Sequence, residues 1–144
     1  MARQVLVLED DPPMEHLLCR IVREEGHEVR VAQSWKDFEQ ALLGELPDLM
    51  LIDIALPWVN GLDLNESLGE SAAFQGIPRV IVTGHAEAAY RLRAYAQGCR
   101  AFVAKPFEVD QLQVAIREAL AQAETPEECL DQDYPLPPSF KSSA

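Results

Sequence analysis

The sequence predicts an α/β fold: a doubly wound, five-stranded parallel sheet flanked by five helices. Three observations carry that expectation. Short apolar runs recur along the chain, separated by segments of helical periodicity. The runs Val5-Leu6-Val7-Leu8, Asp48 to Ile52, Arg79 to Val82 and Arg100 to Ala104 are nearly continuous in apolar residues, as strands buried on both faces are. Each of the four ends in polar chemistry: Glu9-Asp10-Asp11, Asp53, Thr83 and Lys105-Pro106. In an open parallel sheet, ligands gather outside the carboxyl ends of the strands, so these four ends form a single site.

The elements follow in order. Pro12-Pro13 opens a helix with Met14, Leu17, Leu18, Ile21 and Val22 at helical spacing, closed by Gly26. Glu28 to Ala32 alternates as a strand, and Ser34 is an N-cap for a helix carrying Trp35, Phe38, Ala41 and Leu42. Pro47 precedes the third strand. Gly61 to about Phe74 reads as a third helix, interrupted by Gly69. Residues 86 to 97 form a fourth, ending at Gly98, and Glu108 to Ala121 a fifth, with Leu112, Ala115, Ile116, Ala119 and Leu120 on one face. From 122 to 144 the composition changes to prolines and acids. The chain therefore divides into a domain over 1–121 and an acidic, proline-containing tail or linker over 122–144.

Composition narrows the function classes. The 144 residues carry a net charge of −12, of which the tail contributes −4. Binding phosphate backbones requires clustered Lys and Arg, so direct nucleic-acid binding by this domain is not expected. Cys19, Cys99 and Cys129 are odd in number and show no metal-binding spacing. The apolar run after Met1-Ala2-Arg3-Gln4 is too short for a signal peptide or a membrane span. A cytoplasmic protein without membrane contact is the expectation.

Residues 3 to 121 resemble the receiver domains of two-component response regulators. The match lies in the acidic pair Glu9-Asp10, the phosphoacceptor segment Asp53-Ile54-Ala55-Leu56-Pro57-Trp58-Val59-Asn60-Gly61, Thr83-Gly84 and Lys105-Pro106-Phe107, in family order and spacing. The resemblance implies strand order 2-1-3-4-5, a cis bond before Pro106 and a phosphoryl group accepted on Asp53. It also implies a histidine kinase or phosphotransfer protein as donor and a downstream protein target. Thr83 and the aromatic Phe102 would form the switch, read out by the fourth helix, fifth strand and fifth helix. Where many receivers carry a tyrosine, Phe102 keeps the packing role and lacks the hydroxyl.

The chemistry of these residues stands beside the resemblance. A carboxylate attacking a phosphoryl group must first overcome the repulsion of two anions, which a divalent cation relieves. Mg²⁺, or Mn²⁺ in its place, takes oxygen ligands: Asp10 and Asp53 directly, with Glu9 or Asp11 holding a coordinated water. By resemblance the backbone carbonyl of Ala55 completes the protein ligands. Lys105 supplies a positive charge to a phosphoryl oxygen, and an ion-pair partner for Asp53 before phosphorylation. Thr83 supplies a hydroxyl. Repulsion among the acids should raise the pKa of at least one.

Alternatives are distinguished by particular residues. The Glu-Asp order at 9 and 10 is similar to that of winged-helix transcription factors, which suggests the receiver part of a DNA-binding regulator. Those receivers dimerise on phosphorylation through acidic residues before the aromatic. Here Arg100 and Ala101 stand there, so such a homodimer would need other contacts. An aspartate-nucleophile phosphohydrolase wants a second aspartate two residues after the first, and that position is Ala55. A flavodoxin-like cofactor binder would need a phosphate-accepting loop where Glu9-Asp10-Asp11 would repel one. His16 and His27 read as exposed, His85 as a residue at the mouth of the site, and Trp58 as a partly exposed neighbour of Asp53.

Overall fold

The computed structural model describes residues 2–124. Five strands, β1 (Gln4–Leu8), β2 (Glu28–Ala32), β3 (Leu49–Ile52), β4 (Arg79–Thr83) and β5 (Ala101–Ala104), alternate with five helices. These are α1 (Pro12–Glu24), α2 (Trp35–Leu43), α3 (Gly61–Glu70), α4 (Ala88–Ala96) and α5 (Val109–Glu124). All strand pairs are parallel, in the order β2-β1-β3-β4-β5. Cys129 and the remainder of the expected tail lie outside the described residues.

Period-two side-chain alternation divides the core into two layers. Val5, Val7, Leu49, Leu51, Val80 and Val82 face α1 and α5, where they meet Leu18, Ile21, Leu112 and Ile116. Leu6, Leu8, Met50, Ile52 and Ile81 face the other side and meet Phe38, Leu62, Leu64, Leu68 and Ala94. The near-continuous apolar runs are thus two interleaved faces of one sheet.

Helix ends follow local chemistry. Asp11 caps α1 by accepting from the Met14 N–H, Ser34 caps α2 through Asp37 N–H, and Asn60 caps α3 through Leu62 and Asp63 N–H. The third helix stops at Glu70 rather than near Phe74. The Ser71 carbonyl accepts from Phe74 and Gln75 N–H in a separate turn, and Pro78 disfavours helix at Ile77. The fifth helix runs three residues past Ala121.

Register decides which strand ends meet. Leu8 pairs with Ile52, so Glu9 and Asp53 leave the sheet at one level, and Asp53 N–H donates to Leu8 O at 3.1 Å. Thr83 pairs with Ala104, and Lys105 N–H donates to Thr83 O at 2.8 Å.

His27 is half-buried rather than exposed, and its Nδ1 accepts the Arg3 N–H at 3.2 Å. Burial lowers its pKa from 6.5, and the neighbouring Glu25 only partly opposes this. With the folded value below the unfolded one, its contribution to stability is complete above pH 6.5 and is lost as pH falls through the folded value. Urea denaturation at several pH values should show wild type losing stability on acidification relative to His27→Gln, which retains an acceptor. Parallel curves for the two proteins would contradict this.

Candidate phosphoacceptor site

Glu9, Asp53 and Lys105 meet where β1, β3 and β5 end. The Lys105 ammonium donates to Glu9 Oε1 at 2.6 Å and to Asp53 Oδ2 at 3.1 Å. Glu9 is 1% exposed and Asp53 7%, so both carboxylates depend on this cation for compensation. The sequence suggested Lys105 as the partner of Asp53. The structure gives it two partners, of which Glu9 is the closer. The Lys105–Pro106 peptide bond is cis.

Burial is the main reason that the Glu9 pKa lies above its usual value; the charge of Asp53 adds to it, and the Lys105 hydrogen bond opposes it. Repulsion among acids was the expected cause, and it comes second to the loss of water. Burial alone would lower Lys105. The Glu9 hydrogen bond and the charge of Asp53 outweigh it and hold the ammonium above its ordinary range.

Carboxylate oxygens of Glu9, Asp10 and Asp53 lie within 4.8 Å of one another, with Asp10 exposed and the other two buried. Three acidic oxygens at this separation, open on one side, fit a small divalent cation that retains water ligands. Asp11 turns away to cap α1, while its N–H donates to Glu9 Oε2 at 3.2 Å. Ala55 is exposed beside the cluster, and its N–H donates to Asp53 Oδ1 at 3.3 Å.

The loop after Asp53 is closed by an Ala55–Asn60 bridge and by Gly61 N–H donating to Ile54 O at 2.8 Å. Trp58 ties this loop to α2, its ring 6.0 Å from Trp35 and 6.1 Å from Phe38. Gly61 was singled out as a helix start, but its place is set by close approach. A Cβ there would stand 2.1 Å from the Asp53 carbonyl oxygen and 2.7 Å from Ile54 Cα.

Thr83 is fully buried, and its hydroxyl accepts the His85 N–H at 3.1 Å. Phe102 pairs with Ile81, which puts its ring on the same sheet face as Thr83. That ring is already inside, 7% exposed. The Arg91 guanidinium lies 4.9 Å above its centroid, and the Tyr95 hydroxyl accepts the Phe102 N–H at 3.1 Å. Neither α4 residue was singled out from the sequence, because contact between a helix and an edge strand leaves no local pattern.

Comparison with known proteins decides the family. A model of the response regulator receiver domain matches residues 5–117. The chain belongs to that family. Among curated relatives, response regulator Rre1 of Synechocystis sp. is 31% identical over 119 residues, covering 82% of this chain and 52% of that protein. Protein PilH of Pseudomonas aeruginosa is 31% identical over 121 residues, covering 84% of this chain and 99% of PilH. A CheY-like response regulator receiver domain protein from Methanospirillum hungatei superposes with TM-score 0.77 at 26% identity, over 88% of this chain and 99% of that one. NtrX from Brucella abortus, solved with ADP, gives 0.80 at 27% identity, over 97% of this chain and 32% of NtrX. The receiver spans about half the length of the first curated relatives, Rre1 and the phosphate regulon regulator PhoB of Klebsiella pneumoniae. Among the described residues, no helix is long and apolar enough to cross a membrane.

Gly61→Ala should destabilise the receiver by about 1–3 kcal/mol, because the obstacle is backbone that cannot rotate away. Urea denaturation measures this. An unchanged midpoint would show that the loop can move aside.

Proposed function

We propose that this receiver accepts a phosphoryl group on Asp53 from a histidine kinase or phosphotransfer protein, with Mg²⁺ or Mn²⁺ as cofactor, in the cytoplasm. The convergence of Glu9, Asp10, Asp53 and Lys105 at adjacent strand ends supports this reading best. An Asp53 oxygen attacks phosphorus, the bond from phosphorus to the donor's imidazole nitrogen breaks, and the imidazole takes up a proton. Asp10 and Asp53 would hold the metal directly, with the Ala55 carbonyl, and Glu9 through water. When bound, the metal neutralises charge on the transferring phosphoryl oxygens. Lys105 exchanges its bond to Asp53 for one to a phosphoryl oxygen, and Thr83 donates its hydroxyl to another. Catalysis is thus confined to the protein's own phosphorylation and later hydrolysis.

The readout follows from where Thr83 and Phe102 lie. Drawing the Thr83 hydroxyl toward Asp53 changes the packing beneath Phe102, and Arg91 and Tyr95 couple that ring and strand to α4. The face formed by α4, β5 and α5 exposes Leu92, Tyr95 and Val114. It also contains a hollow of about 330 Å³ lined by Arg91, Phe102, Ala104, Gln111, Val114 and Glu118. This face is the proposed docking site for a downstream protein, with a phosphorylation-dependent homodimer as a second use. Relatives in which the matched part fills 52% of a transcriptional regulatory protein or 24% of a DNA-binding transcriptional regulator favour a further reading, in which the chain is the receiver part of a DNA-binding regulator.

Intact mass after incubation with Mg²⁺ and acetyl phosphate should show one phosphoryl adduct on wild type and none on Asp53→Asn. An adduct on both would move the acceptor elsewhere. Mg²⁺ at about 100 times its Kd should raise Tm by roughly 5–10 °C, since it binds the native state alone. The same scan on Asp10→Asn should show little rise; an equal rise would place the metal elsewhere.

A further inference from the structure

Arg79 opens β4, at the end of the sheet opposite the acidic site, and is 3% exposed. A buried guanidinium persists only where its donors find partners. Here the hydrogen bonds go to neutral oxygens: Nε to Asn65 Oδ1 at 2.5 Å, Nη1 to Ile77 O at 3.0 Å and Nη2 to Gln97 O at 3.2 Å. Burial pulls its pKa down to about 10. Asn65, fully buried on α3, extends the network to Ala94 O at 3.4 Å and to the Gln97 side-chain amide at 3.0 Å. Two glycines leave room for it. A Cβ at Gly69 would meet Gln97 O at 2.8 Å and Arg79 Nη2 at 3.2 Å, and one at Gly98, where φ is +97°, would lie 3.2 Å from the same nitrogen.

The two ends of α4 are held very differently. Ala94 is the buried residue of the helix, next to this network, while residues 88 to 93 are all exposed. Its N-cap, Glu87, makes no side-chain capping bond. Toward that end the contacts are Arg91 over Phe102 and Tyr90 edge-on to His85 at 6.3 Å. Both lie beside the switch residues. The C-terminal end instead rests on α3 and β4 through polar bonds with fixed directions, joined by Arg93 donating to Asp63 at 2.8 Å, and its Tyr95 holds the Phe102 backbone N–H rather than the ring.

We infer that Arg79, Asn65 and Gln97 form a fixed pivot for α4, so that a change at Thr83 and Phe102 swings its N-terminal half and leaves residues 94–97 in place. The inference rests on the switching reading above. It accounts for a cation buried far from the reacting atoms: guanidinium bonds are directional where apolar packing would let the helix slide. Arg79 is a positioning residue for the output face.

Hydrogen exchange on the full chain, with and without Mg²⁺ and the phosphoryl analogue beryllium trifluoride, tests this. In wild type the analogue should change exchange over 86–91 and leave 94–98 unaltered. Without analogue, Arg79→Lys, which keeps the charge and loses the fork, should speed exchange over 94–98 by about tenfold or more. With analogue, that variant should respond along the whole helix. Circular dichroism checks its fold. If Arg79→Lys does not fold, Gln97→Ala takes its place, with a rise of at least about threefold over 94–98. A uniform wild-type response over 86–98, or variants as protected there as wild type, overturns the pivot. The analogue-free comparison separates the two ideas. Faster exchange at 94–98 in the variant, with wild type taking no analogue, would support the anchored end and defeat the switching reading.

Discussion

Everything at the reacting end of this receiver depends on one half-buried cation held between two buried carboxylates. Glu9 and Asp53 have little water to solvate them, and Lys105 reaches both within 3.1 Å. The arrangement exists because β1 and β3 end level with each other and β5 ends two residues beyond them. Register pairs Leu8 with Ile52 and Thr83 with Ala104, and the residue that follows Leu8, Ile52 and Ala104 is in each case the charged one. A one-residue slip of any strand would send its terminal side chain to the opposite sheet face and leave the others unpaired. The two hydrophobic layers therefore fix the charge geometry as firmly as the charged groups do.

Charge compensation also explains why the site suits a divalent metal. With Glu9, Asp10 and Asp53 ionised and Lys105 protonated, the cluster is two charges short of neutrality. A divalent cation closes that gap. Burial is the main cause of the raised Glu9 pKa, and the charge of Asp53, part of the same deficit, adds to it. Asp10 is the exposed member, which leaves the open side of the cluster facing solvent, where a hydrated ion and a phosphoryl donor would both arrive.

Much of the site was legible in the sequence because its chemistry is local to strand ends. Glu9, Asp10, Asp53, Thr83 and Lys105 each interrupt or follow an apolar run, and an interruption of that kind is visible without coordinates. Asp11 could be separated from its neighbours because two prolines follow it, and it does cap α1. What the sequence concealed are contacts between elements distant along the chain. Gly69 looked like a weakness in a helix, yet it admits the Gln97 carbonyl and the Arg79 guanidinium. Arg79 looked like the polar start of a strand and is almost completely buried. Phe102 was identified as the switch aromatic, but the residues that grip it, Arg91 and Tyr95, lie seven to eleven positions earlier on an amphipathic surface that resembles ordinary solvated helix.

Those concealed contacts change how a phenylalanine can serve at the switch position. A tyrosine has a hydroxyl whose partners differ between packings; Phe102 has only its ring face and its backbone. In this receiver the ring face is taken by the Arg91 cation and the backbone N–H by the Tyr95 hydroxyl, so in the proposed switch the group that would sense the ring's position is Arg91 of α4. A cation over an aromatic face is attractive over a narrow range of geometry and contributes about 0.5–2 kcal/mol. Loss of that contact is enough to shift a two-state equilibrium by up to tenfold or more. On the proposed switching, a sensing group on the helix rather than the strand would pass the change to α4 directly, and a helix that responds at one end needs a firm hold at the other.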